Sequence, residues 1–172
     1  LFLFDIQTKD FLKKFKSEFK VIITSGVYEE LKEFEEHKDA LGNIASRILE
    51  EKLEIVEVKD DVIEAVKNKL GVSGRQRITD TDLKNFMLAK ERNVAFFTDD
   101  FSVLIHLSSF FPDEKIFHGI VLCTDILSKV VGKEESYNII FNKFIPTRWK
   151  RITEKRLADL EKIVSEVLDN KK

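Results

Sequence analysis

Apolar and polar positions alternate between two periods along the chain. Leu1-Phe2-Leu3-Phe4 is a continuous apolar run closed by Asp5, the pattern of a buried strand. Phe11, Leu12, Phe15 and Phe19 then recur at helical spacing over 7–19, with lysines on the other face. Val21-Ile22-Ile23-Thr24 predicts a second buried strand, and Val27 to Glu36 a helix with Val27, Leu31 and Phe34 inward. Glu29 and Glu30 fall in its first turn, where the helix dipole favours negative charge. Leu41, Ile44, Ala45, Ile48 and Leu49 share one face of a helix over 38–52, and 53–58 reads as a short strand or an extended link. A helix capped by Asp60 or Asp61 should stop at Gly71, before a basic loop over 73–77.

Thr79 is placed to cap a helix from Asp80 to Arg92, with Leu83, Phe86, Met87 and Ala89 on its packing faces. Val94–Thr98 is the third clear strand. The helix from Phe101 breaks at Pro112-Asp113, and Ile116–Leu122 supplies a fourth strand. Thr124–Val131 and Glu134–Phe144 read as helices ended by Gly132 and Pro146, and Thr147–Leu168 as a long last helix. Strands alternating with helices argue an α/β fold with a small, mainly parallel β-sheet flanked by helices, and a helical C-terminal extension.

Composition narrows this picture. The 172 residues are 43% hydrophobic and 35% charged, which supports a folded domain rather than a disordered chain. The net charge of −2 provides no global attraction to nucleic acid, so any such contact needs a local patch. A single cysteine, Cys123, excludes an internal disulfide and a cysteine-based zinc cluster. His37, His106 and His118 show no ligand spacing. No apolar run approaches the roughly 18–20 residues that span a membrane, and no signal peptide is evident, so a cytoplasmic protein is expected.

The candidate chemistry is acidic. Asp5, Glu29/Glu30, Asp80/Asp82 and Asp99/Asp100 each fall at a predicted strand end or in the helix that follows. A right-handed crossover brings such positions to one edge of a parallel sheet. Converging carboxylates repel unless a cation sits among them, and hard oxygen ligands suit Mg²⁺ or Mn²⁺. Such an ion activates water against a phosphodiester. Each acid also has an architectural reading: Asp80 as a first-turn helix residue, Asp99 or Asp100 as a cap for the helix at Phe101, Asp5 as a strand-end turn residue.

Asp-Thr-Asp-Leu followed by an apolar helix, then Val-Ala-Phe-Phe-Thr-Asp-Asp-Phe, resembles the C-terminal half of a PIN domain. Val-Ile-Ile-Thr-Ser-Gly-Val-Tyr-Glu-Glu-Leu is similar to that family's early strand–helix step. The resemblance covers about residues 1–125 and is most specific over 78–104. It implies a three-layer α/β/α nuclease domain over 1–132, followed by the extension over 133–172. It also implies a metal-dependent endoribonuclease that hydrolyses single-stranded RNA, with acids around Mg²⁺ or Mn²⁺. Family members include toxins of toxin–antitoxin pairs and nucleases of ribosomal RNA processing, so an antitoxin or a ribosome-processing partner is the expected kind of partner.

Carried over residue by residue, the pattern implies Asp5, Glu30, Asp82 and Asp100 as the catalytic, metal-binding set, with Asp80 and Asp99 as auxiliary ligands. The family's first aspartate is followed by Thr and Ser or Asn, whereas Asp5 is followed by Ile6-Gln7. Either Asp5 serves in a divergent setting or the first acid precedes Leu1. A catalytically eroded interaction module for RNA or protein is the alternative reading. Arg75 and Arg77 beside the acids, and Arg148-Trp149-Lys150-Arg151, are candidate RNA contacts through charge and stacking. Fifteen phenylalanines are expected to supply the core, with a homodimer interface as a further expected use.

Overall fold

The computed structural model describes residues 9–37, 39–50, 53–75, 78–148 and 152–169. The first expected strand, Leu1–Phe4, lies outside them, as do Asp5, Arg77, Trp149, Lys150 and Arg151. Chain contacts divide the molecule into two compact units, one spanning Phe19–His118, the other joining Lys9–Glu18 to the chain from Gly119 onward. The division falls at Gly119, inside the stretch expected to form one domain up to 132.

The first unit is α/β. Its strands are β1 (Ile22–Thr24), β2 (Glu54–Val56), β3 (Phe96–Thr98) and β4 (Ile116–His118). They form two separate two-stranded sheets among the described residues, β1 parallel to β2 and β3 parallel to β4. In register, Thr24 lies opposite Val56 and Thr98 opposite His118, so each sheet presents its carboxyl ends side by side. The helices of this unit are α2 (Ser25–Glu35), α3 (Ala40–Leu49), α4 (Asp60–Arg75), α5 (Asp80–Glu91) and α6 (Phe101–Phe110). Its core gathers Ile63, Val66 and Leu70 from α4, Leu83 and Phe86 from α5, Phe96 from β3, and Val103 and Leu107 from α6. Phe86 is the hub. Its ring meets Phe96 edge-on at 5.9 Å and Phe111 at 5.0 Å.

The second unit is helical. It holds α1 (Lys9–Glu18), α7 (Gly119–Val131), α8 (Lys133–Asn138), a π-helical turn (Ile139–Phe144), α9 (Ile145–Arg148) and α10 (Glu154–Asp169). α7 packs against α1 and α10. Lys129 of α7 is paired with Glu18 of α1, and Tyr137 donates a 2.7 Å hydrogen bond to Glu161 of α10.

Several elements differ from their sequence reading, each for a local reason. Residues 120–122 are helical rather than part of the fourth strand, because α7 starts at Gly119. Ile120, Cys123, Ile126 and Leu127 are buried at helical spacing, and a short apolar run does not by itself distinguish strand from helix. α4 passes through Gly71 and on to Arg75, so Ser73-Gly74-Arg75 is helix rather than loop. Gly71 is not left-handed; among the described residues only Asn93 and Gly132 have positive φ. Without that geometry a glycine costs a helix about 1 kcal/mol but does not end it. Pro146 likewise falls within a helical turn rather than ending one. The π turn just before it widens the spiral where a proline ring would otherwise meet the preceding carbonyls. The expected last helix is divided, with Thr147 and Arg148 in α9 and α10 starting only at Glu154. Finally, α2 starts at Ser25, which moves Glu29 and Glu30 out of the first turn and away from the dipole's strongest effect.

Candidate metal site at the carboxyl edge of the strands

The site is organised by α5. Thr79 is its N-cap, with extended backbone, and the expected cap is reciprocal: Thr79 Oγ1 accepts from Asp82 N at 3.1 Å, while Asp82 Oδ2 accepts from Thr79 N at 3.3 Å. The Thr79 hydroxyl also donates to Asp82 Oδ2 at 2.7 Å. Asp82 thus spends one oxygen on the helix start, and its Oδ1 has no hydrogen-bond partner among the described residues.

Asp100 repeats the arrangement on α6. Its Oδ1 accepts from Ser102 N at 2.6 Å and Val103 N at 3.4 Å, and its own N–H donates to Thr98 Oγ1. Oδ2 of Asp100 is uncommitted among the described residues. Asp100 therefore carries the cap role expected of it and Asp82 the return bond of the Thr79 cap, while each keeps one oxygen without a hydrogen-bond partner among the described residues.

α5 and β3 link these two helix starts in the chain. The 12 residues of α5 rise about 18 Å, the chain reverses at Arg92-Asn93, and β3 runs back along the helix with Phe96 against Phe86. Asp99 and Asp100 follow β3 at the start of α6, whose Val103 shares a core cluster with Leu83 of α5. β1 ends against α5. The Thr24 N–H donates to Asn85 Oδ1 at 3.3 Å, while Asn85 Nδ2 donates to Thr81 O at 2.9 Å. Gly26, in the first turn of α2, passes so close to α5 that a Cβ on it would lie 3.2 Å from Thr81 Oγ1.

The remaining acids differ in setting. Asp80 lies with both carboxylate oxygens 2.9 Å from Lys67 Nζ, and Lys67 also reaches Glu64 at 3.3 Å. The hydrogen bond to Asp80 holds the Lys67 ammonium above its ordinary range. Asp99 is half-buried, and its charge acts on His118 at the end of β4. Burial pushes the His118 imidazole below its usual value while Asp99 opposes that shift, and Phe101 packs against the ring at 4.6 Å. Glu30 is exposed on α2. Arg75 and Arg148 each end a helix, α4 and α9.

Among the described residues, no group of three or more His, Cys, Asp or Glu side chains is placed to hold a metal ion. Asp82 and Asp100 offer hard, anionic oxygens, which suit Mg²⁺ or Mn²⁺ in kind, but a complete ligand shell needs donors beyond these two. Thr24 is fully buried at the end of β1, and its Oγ1 has no hydrogen-bond partner among the described residues. Sequence reading missed Lys67, Asn85 and the Gly26–Thr81 approach. The one available signal was a carboxamide, Asn85, between Leu83 and Phe86 of an apolar helix face. No known protein family, curated protein or solved structure matches the chain. No helix among the described residues is long and apolar enough to cross a membrane.

Proposed function

We propose that the chain is a PIN-like, metal-dependent endoribonuclease that hydrolyses single-stranded RNA at the carboxyl edge of β1 and β3. The observation that supports this reading is that Asp82 and Asp100 each serve a helix start with one oxygen and keep the other without a hydrogen-bond partner among the described residues. Glu30 and Asp5 complete the proposed ligand set, Asp5 from outside the described residues. Asp99 is an auxiliary ligand, and Asp80 serves as the partner of Lys67 rather than as a ligand. Held by Asp5, Glu30, Asp82 and Asp100, Mg²⁺ or Mn²⁺ would supply an activated water and would offset charge on the phosphate. Asp82 and Asp100 hold their oxygens in place through the helix caps, so the donors are pre-set before any ion binds. The basic residues Arg75, Arg77, Arg148, Trp149, Lys150 and Arg151 are proposed RNA contacts.

A specific observation favours a second reading. Without a three-acid cluster among the described residues, the same fold serves an interaction module that binds RNA or protein without cleaving. Labelled single-stranded RNA incubated with Mn²⁺, Mg²⁺ or EDTA separates the two. Cleavage that needs the metal supports the nuclease. Intact RNA, together with no heat of Mn²⁺ binding in calorimetry, supports the interaction module.

A further inference from the structure

We draw no further inference here: the strongest candidate, the apolar surface patch on the β3–β4 sheet where the rings of Phe97 and exposed Phe117 lie 5.7 Å apart, carries nothing because nothing in the structure shows what covers it.

Discussion

Thr79, Asp82 and Asp100 each serve a helix start, and their substitutions separate folding from chemistry. Thr79→Ala removes the hydroxyl that accepts the Asp82 N–H and should cost about 1 kcal/mol in urea unfolding, as loss of an N-cap usually does. Asp82→Asn keeps an oxygen for the cap but removes the charge from the proposed site. Lys67 and Asp80 predict the converse. Their pair is largely exposed on the aspartate side, so Asp80→Asn should change stability by less than about 1 kcal/mol and leave Mn²⁺ affinity close to the parent's. A large loss of affinity in Asp80→Asn would return that residue to the ligand set. The caps at Thr79 and Asp100 were legible in the sequence because capping is local, each residue adjoining the helix it caps, whereas the Lys67–Asp80 pair joins residues 13 positions apart and was not.

At the scale of elements, α5 is the organising piece, and Phe86 is its anchor against Phe96 and Phe111. Phe86 is 1% exposed, so Phe86→Ala should destabilise the first unit by about 3–5 kcal/mol, read as a lower urea midpoint at unchanged slope. A loss below 1 kcal/mol would mean that the core does not close on this ring. The elements themselves were legible where pattern and punctuation agree, as in α5 with its threonine cap and apolar face. They were illegible where punctuation misleads. Gly71 and Pro146 look like stops, yet neither meets the backbone geometry that would make it one. The start of α7 was hidden because Ile116–Leu122 is one apolar run shared by a strand and a helix. The Asn85–Thr24 bond was beyond reach of any local pattern, since its partners are 61 residues apart.

At the scale of the whole molecule, the α/β reading holds, with all described strand pairs parallel, but they form two small sheets rather than one. Stability should depend on pH through His118, which is 2% exposed and whose imidazole burial holds below 6.5. The unfolded chain takes up a proton there at pH values where the folded chain does not. Stability is therefore full above about 6.5 and falls as pH drops from that value toward the folded one. Glu54, hydrogen-bonded to Lys20 and then Arg92, and Asp60, hydrogen-bonded to Lys84, are held below 4.5 and 3.8, so their contributions are lost only in stronger acid. Thermal melts from pH 7.5 to 5 should thus show a decline that His118→Gln flattens; parallel curves for the two proteins would assign the decline elsewhere.

The proposed site is tested most directly by Asp100→Asn. The carboxamide keeps an oxygen for Ser102 and Val103, so the cap and the unfolding midpoint should remain within about 0.5 kcal/mol of the parent's, while the negative charge is gone. Cleavage of labelled single-stranded RNA in Mn²⁺ should then fall by about 100-fold or more. Undiminished, metal-dependent cleavage by a folded Asp100→Asn protein would contradict the assignment of this edge as the catalytic one.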